Sequence, residues 1–507
     1  MRSRAVSSIV VGVLLGISAP GTAREDSTPA LPGRVLVQRV APGGIDRGLR
    51  ETYPPRPLGK LKVDLQGAAT LPRDAKPYVA GRVVAKFRTE VSAAARTQLM
   101  RRIGATRLSR PEHADFDIVT IDPAADPLAV AEQLRASGSV VYAEPAWRLR
   151  ALYRPNDEFY NLQWNLPAID MERAWDINQG ASSDIIVAVI DGGLAFESAV
   201  FKYTTVPLID PNGQVVRLTV DVPFAPAPDL ASPDRFVAPR DFIWGDDDPV
   251  DLEGHGTHVA GTIGQITNNG RGVAGMAFNV RFMPLKVIAG DWDLIFGANP
   301  GTTDLVARAI RYAVDNGARV LNLSIGTDSS EPVVAVEEAL RYAVSRGAFV
   351  ALAAGNGFLE GNPLPQPAAV GPQIDGVMAV GAVGRDLARA SYSSTGAFVE
   401  IAAPGGDQSR DVRAGVLQQT FDFDLVLAFP PRFDSFAYEF FQGTSMAAPH
   451  VSGFAALLMQ QGITRPEAIE AAIKAFARDL GPAGRDDEYG HGLIDPRATL
   501  RGLGLTR

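Results

Sequence analysis

Four residues whose types together perform acyl transfer stand at four separate points of this sequence. Asp191 ends the apolar run Ile185 to Ile190 and is followed by Gly192-Gly193. His255 lies in Gly254-His-Gly-Thr-His-Val-Ala-Gly261, where small residues let a helix start close against whatever lies beneath the imidazole. Asn356 follows the apolar run Phe349 to Ala353 in Ala354-Gly-Asn-Gly357. Ser445 lies in Gly443-Thr-Ser-Met-Ala-Ala-Pro-His-Val-Ser-Gly453, leading into an apolar helix over 451–458, with Pro449 expected in its first turn. A hydroxyl is a weak nucleophile until a base takes its proton, and the base needs a group to orient it. The developing oxyanion needs N–H donors, and a helix N-terminus or a side-chain amide supplies them.

Taken singly, the plainer readings are strong. Asp191 caps a turn, Ser445 is an N-cap and Asn356 is a turn residue. His255 and His258 invite a zinc reading, but the HExxH pattern is missing and no cysteine can complete a site. The combination and its chain order discriminate. An α/β-hydrolase runs serine, acid, histidine around a Gly-x-Ser-x-Gly elbow, whereas here the order is Asp, His, Ser and the elbow reads Gly-Thr-Ser-Met-Ala.

The elements that must position these groups are short apolar strands alternating with helices. Ile185–Ile190, Phe282–Val287, Val320–Ile325, Phe349–Ala353 and Val377–Val383 are short and predominantly apolar, as strands buried on both faces of a parallel sheet are. Helices over 305–314 and 334–344, closed by Asn316-Gly317 and Gly347, lie between them. The expected fold class is α/β, a doubly wound, mostly parallel sheet flanked by helices. Ligands of such sheets sit at the carboxyl ends of the strands, where Asp191 and Asn356 fall. Leu194–Val250, Ala289–Thr303 and Gly405–Phe441 interrupt the alternation and are read as binding or gating insertions, or as decoration.

Ahead of this region lies a smaller α+β pattern. Strands over 79–87, 116–121 and 140–142 alternate with helices over 93–103 and 128–134. Residues 24–77 are rich in Pro and Gly without periodicity, as in an extension or linker. Residues 1–23 carry Arg2 and Arg4, an apolar run from Ala5 to Ala19 and the small residues Gly21, Thr22 and Ala23: an export signal cleaved after Ala23. The expected division is 1–23 signal, 24–77 extension, 78–152 a small α+β domain and 153–507 main domain. No later segment reads as a membrane span, so a secreted or periplasmic protein without a stable membrane anchor is expected. The absence of cysteine excludes a disulfide framework and a catalytic thiol, and a net charge of −8 carries no polyanion-binding signature, so no nucleic-acid partner is expected.

The segments Val187-Ala-Val-Ile-Asp-Gly-Gly193, Gly254 to Gly261, Ala353-Ala-Gly-Asn356 and Gly443 to His450 resemble the Asp, His, oxyanion-Asn and Ser motifs of the subtilisin-like serine peptidases, the subtilases. The resemblance spans about Tyr153 to Leu500 and includes Tyr489-Gly-His-Gly-Leu-Ile-Asp495. It implies that Asp191, His255 and Ser445 form the catalytic triad, that Asn356 is an oxyanion donor, and that the enzyme is an endopeptidase acting on polypeptides without a catalytic cofactor, as a monomer. The unit from about Tyr78 to Trp147 resembles the family's inhibitory propeptide, a ferredoxin-like intramolecular partner, which implies autocleavage between about Arg148 and Asn156. One departure stands out: relatives mostly carry Ser or Thr after the catalytic Asp, and here it is Gly192. A hydroxyl that would help hold the acid is absent.

By the same resemblance the side-chain pocket is walled by Ser324, Ile325 and Gly326 and by Ala353, Ala354 and Gly355. Neither wall is acidic, so broad cleavage after apolar or aromatic residues is expected, with activity rising from about pH 6 to 7 as an ordinary imidazole loses its proton. Trp292–Phe296 is read as reshaping neighbouring subsites or, equally, as exposed decoration. Asp246-Asp247-Asp248 suggests a structural calcium site, with Asn268 and Asn269 in a loop resembling a family calcium loop; a solvated acidic loop is the favoured alternative. The competing functional classes are a catalytically inactive binding protein on the same fold and another serine hydrolase such as an esterase. The stretch after Ser445 is too short for a membrane barrel, so an autotransported passenger is not expected.

Overall fold

Burial alternates along Tyr78–Phe87 (β1): Val83, Ala85 and Phe87 are buried, while Arg82, Val84 and Lys86 are less so. That period of two marks a sheet covered on one face only. The computed structural model describes residues 49–50, 78–147 and 153–502, apart from 210–212, 233 and 328. The expected signal segment and its cleavage site, most of the extension, and residues 148–152 of the expected processing junction lie outside the described residues. Two compact units hold the rest, 78–147 and 153–502, the latter with 49–50.

In the first unit, β1 is followed by α1 (Ala93–Arg102), β2 (Arg107–Ser109), β3 (Asp117–Thr120), α2 (Pro127–Ala136) and β4 (Val140–Trp147). The sheet is antiparallel in the order β2-β3-β1-β4, a ferredoxin-like arrangement. Ser92 caps α1 by accepting from the Ala95 N–H at 3.2 Å, and Asp126 caps α2 with Pro127 at its first position. The strand β2 has no counterpart among the sequence expectations. Three residues reading Arg-Leu-Ser carry too little periodicity to declare a strand, and pairing with β3 creates it.

The second unit is built on a seven-stranded parallel sheet in the order β6-β7-β5-β8-β9-β10-β11. These strands are β5 (Ile186–Asp191), β6 (Arg240–Asp241), β7 (Arg281–Lys286), β8 (Val320–Leu323), β9 (Phe349–Ala353), β10 (Val377–Val383) and β11 (Ile401–Pro404). The principal helices are α3 (His255–Gly264), α4 (Thr303–Asp315), α5 (Val334–Ser345), α6 (Thr444–Gln460) and α7 (Pro466–Ala475). Val187 and Val189 pack with Val259 and Ile263 of α3 and Phe454 of α6, whereas Ala188 and Ile190 pack with Ile310 of α4 and Leu340 of α5. Each strand therefore feeds two cores, and every residue of β8, β9 and β10 is buried.

The insertion Gly405–Phe441 is an ordered antiparallel ribbon, β12 (Val416–Phe421) with β13 (Phe436–Phe441), whose outer edge pairs with Leu49–Arg50. Within 194–250 the strands 199–204 and 219–224 form a second ribbon. The short helix 291–295 is no loose decoration. Trp292 stacks on Phe296, which stacks on Tyr203, and Asp293 forms a buried ion pair with Lys286 at 2.9 Å.

Candidate active site

Asp191 is the last residue of β5 and fully buried. Its Oδ1 accepts from the Gly192 N–H at 2.8 Å and pairs with His255 Nδ1 at 2.7 Å. Its Oδ2 is buried with no hydrogen-bond partner among the described residues. Close approach of α3 to β5 depends on Gly256, where a β-carbon would lie 2.1 Å from Gly193 O and 3.3 Å from Asp191 Cβ.

His255 opens α3 and is held there by a residue the sequence reading missed. The buried Asp251 accepts from the Glu253 and Gly254 N–H groups through Oδ1, and from Thr257 N and Oγ1 through Oδ2, at 2.7–3.0 Å. This satisfies the donors at the start of α3 and fixes its first turn. An Asp a few residues before a Gly-rich helix start was the available signal. The ribbon adds a second fastening, since Thr420 Oγ1 donates to Gly254 O at 2.8 Å. Burial disfavours the charged imidazole, but Asp191, seconded by Glu253 and Asp251, outweighs burial and holds the His255 pKa above its ordinary value. That direction replaces the pH 6 to 7 window of an unperturbed imidazole with a higher one as the expected outcome. The acid limb of activity is expected above pH 7, and Glu253→Gln, which removes one of the three negative charges, is expected to move it to lower pH. A pH profile of kcat/KM for the two proteins checks this, and an unmoved limb refutes it.

His258 does not join the site. It is fully buried, its ring is stacked on Phe441 at 4.2 Å, and its Nε2 contacts Val416 O and Glu439 O at 3.1 Å. Burial pushes its pKa down to about 3, so it is a neutral packing residue.

Ser445 is the second residue of α6, so the helix begins earlier than the apolar run suggested and Pro449 falls beyond the first turn, correcting the sequence expectation. Pro449 has no N–H to offer the Ser445 carbonyl one turn back. Ser324 supplies the missing donor, its Oγ lying 2.8 Å from Ser445 O, while Ser445 Oγ donates to Ser324 O at 3.1 Å. Asn322 bonds both Ser324 and Ser452, which ties the end of β8 to α6.

Asn356 accepts from Thr444 N and Thr444 Oγ1 through its carbonyl oxygen, both at 2.9 Å, which leaves its NH₂ end to face outward. A β-carbon built on Gly443 would lie 3.5 Å from Ser445 N and 3.7 Å from Asn356 Nδ2. Two donors thus flank one small space, and Ser445 N is among the N–H groups that no helical carbonyl can reach.

Beside Ser445 opens a cavity of about 490 Å³ lined by Ser324, Ile325, Gly326, Ala353 and Gly355. Ala354 is the exception among the six expected wall residues. Side chains of extended chain alternate, and Ala354 is buried with Ala368, Ala379, Phe398 and Val399. The cavity also includes Glu360 and Gln366, which the two expected walls did not contain, so it is not free of acidic groups.

The acidic run and the Asn268–Asn269 loop engage different partners. Asp247 pairs with Arg240 at 2.8 Å. The loop instead receives two carboxylates not anticipated from sequence. Asn268 N donates to Asp157 Oδ2 at 2.7 Å, and Asn269 Nδ2 donates to Asp229 Oδ1 at 2.6 Å. Asp157 Oδ1 is buried without a partner among the described residues, and burial pushes the Asp229 pKa up to about 7.

Residues 182–492 match the model of the Subtilase family, and residues 66–146 match that of the Fervidolysin N-terminal prodomain. The thermophilic serine proteinase of Bacillus sp. (strain AK1) is 32% identical over 416 residues, covering 82% of this chain and 86% of that one. Thermitase of Thermoactinomyces vulgaris is 29% identical, over 66% of this chain and 94% of that one. Among solved structures, proteases from Pseudoalteromonas arctica PAMC 21717 align with a TM-score of 0.53 at 28% identity, over 69% of this chain and 99% of that one. Fervidolysin from Fervidobacterium pennivorans shares the fold with a TM-score of 0.52 at 23% identity, over 84% of this chain and 61% of that one. With its parallel sheet, its Asp–His pair and its serine at a helix start, the chain belongs to the subtilase family of serine peptidases.

Proposed function

We propose that this chain is an endopeptidase that cleaves polypeptides through an acyl-enzyme on Ser445. His255 takes the Ser445 proton as the hydroxyl attacks the carbonyl carbon, then returns it to the leaving amine; Asp191 holds the imidazole tautomer and stabilises the imidazolium. The negative oxygen of the tetrahedral intermediate is received by Ser445 N and Asn356 Nδ2. The observation that carries this reading is the nearness of two donors, Ser445 N and Asn356 Nδ2, which lie 3.5 and 3.7 Å from one point beside Gly443. In the free enzyme the hydroxyl rests on Ser324 O, and the proposed chemistry requires it to leave that carbonyl for the imidazole when substrate arrives, since catalytic hydrogen bonds often tighten only in the complex. An inactive binding protein would have no use for a prepared oxyanion space. A biotinylated fluorophosphonate tests the reading. It is expected to add one label per chain, located on Ser445 by peptide mapping, in a preparation that cleaves casein; labelling elsewhere, or none, refutes it.

The unit matching a prodomain is proposed to be the intramolecular inhibitor, released by autocleavage between about Arg148 and Asn156, in a monomeric protein exported by residues 1–23. Among the described residues no helix is long and apolar enough to cross a membrane. The cavity beside Ser445 is proposed to take the side chain preceding the scissile bond.

The proposed chemistry needs no calcium, and among the described residues no three His, Asp or Glu side chains gather as a metal site; a structural ion is proposed only at the loop that Asp157 and Asp229 reach. Both are carboxylates whose charge is opposed by burial, and one has an oxygen to spare. Without a cation, ionising Asp229 costs stability as pH rises through about 7; a bound divalent ion with oxygen ligands removes that cost. Calcium is expected to raise the melting temperature at pH 8 and a chelator to lower it, with Asp229→Asn losing most of the calcium response. A melting temperature indifferent to both additions rules out the ion.

A further inference from the structure

The outer edge of the ribbon is occupied by residues that lie ahead of the proposed cut. Leu49 pairs with Tyr438 and Arg50 with Ala437, antiparallel, so that β13 is the middle strand of three. Leu49–Arg50 belongs to the same compact unit as 153–502, although the whole 78–147 unit separates them along the chain. It also lies outside both family matches, which begin at residues 66 and 182. An open strand edge presents a row of main-chain N–H and C=O groups, and an added strand satisfies them. The edge is close to the chemistry in the chain: β13 ends four residues before Ser445, and its partner β12 carries Thr420, which bonds Gly254 O beside His255.

We propose that Leu49–Arg50 is a strand clamp, through which the N-terminal fragment keeps hold of the peptidase after the chain is cut between about Arg148 and Asn156. The inference rests on the peptidase reading above and deepens it, because that reading puts the clamp on the fragment that is removed. The fragment then holds on through two parts, the strand and the prodomain. Residues 51–77 connect them, a length of chain that can span up to about 90 Å. Two linked contacts outlast either one alone, since the contact that stays closed keeps the open one at high local concentration. Release requires both to open together, and the clamp therefore prolongs latency without touching the catalytic residues.

The test uses the full chain carrying Ser445→Ala and a recognition site for an outside protease inserted at 148–152, so that cutting does not depend on the chain's own activity. It is compared with the same chain carrying Leu49→Pro and Arg50→Pro. Both residues are changed because only alternate pairs of antiparallel strands exchange two bonds, and proline has no N–H to give. Neither lies in a segment matched by a family, so the folds of both units are expected to stand. After the outside cut, gel filtration over time is expected to show the double variant releasing its fragment about tenfold faster, the scale of one or two net main-chain hydrogen bonds. Before the cut, the amides of 436–441 that do not pair with β12 are expected to exchange their hydrogens faster by a similar factor in the variant, with 416–421 unchanged. Equal release from the two cut chains, or unchanged exchange over 436–441, overturns the clamp. Intact mass of the chain with Ser445 in place reads self-processing separately: a chain that never cuts itself defeats the peptidase reading, while release and exchange still decide the clamp.

Discussion

Ser445→Ala is expected to lower kcat on casein by about 10⁶-fold, the scale reached when the nucleophile of a related subtilase is removed, and to leave the chain unprocessed. The loss is total at the chemical level, because no other hydroxyl at the start of α6 can replace it. Thr444 is buried and its Oγ1 is bonded to Asn356 and Gly355. The fold is expected to survive. The deleted hydroxyl makes one bond, to Ser324 O, whereas the bond that repairs the Pro449 gap runs from the Ser324 side chain to the Ser445 main chain and is untouched. The melting temperature should therefore fall by no more than the equivalent of about 1 kcal/mol. Intact mass after expression reads the processing and casein hydrolysis reads the activity. An alanine variant trimmed to the same mass as the wild type would show that another protease performs the cut, and one that also cleaves casein would remove Ser445 from the mechanism.

What could be read from sequence follows from the range over which each signal acts. The strands Phe349–Ala353 and Val377–Val383 end where their apolar runs end, because a strand buried on both faces excludes polar residues along its whole length. The environments of Asp191, His255, Asn356 and Ser445 are encoded in motifs of a few residues, which is why their positions at strand ends and helix starts were legible. Features made by convergence were not. Ser324 completes the hydrogen bonding of a helix 121 positions away, and Asp157 and Asp229 reach one loop from two distant segments. Gln366 lines the cavity from a stretch of prolines that carries no periodicity. The Pro449 expectation erred for a related reason: apolar content marked where α6 becomes buried, not where its hydrogen bonding begins.

Asp191→Asn is expected to lower kcat by about 10⁴-fold, read at pH values above the wild-type acid limb, while leaving the fold intact. The size of the effect comes from the two roles of one atom. Asp191 Oδ1 receives both the Gly192 N–H and His255 Nδ1, so the neutral ring carries its proton on Nδ1 and leaves Nε2 bare, the atom proposed to take the Ser445 proton. An asparagine has two ways to sit there. With its oxygen in the Oδ1 position, the tautomer is kept but the NH₂ takes the place of Oδ2, a buried atom that receives no hydrogen bond among the described residues. With its NH₂ in the Oδ1 position, it faces Nδ1 and the Gly192 N–H, forcing the ring proton onto Nε2, where it blocks proton transfer from Ser445. Either arrangement also removes the charge that holds the His255 pKa up, so the remaining activity should acquire an acid limb at lower pH than the wild type. Steady-state kinetics across pH separates these effects from simple unfolding. Retention of more than about a tenth of kcat, with an unmoved limb, would show that Asp191 neither fixes the tautomer nor stabilises the imidazolium.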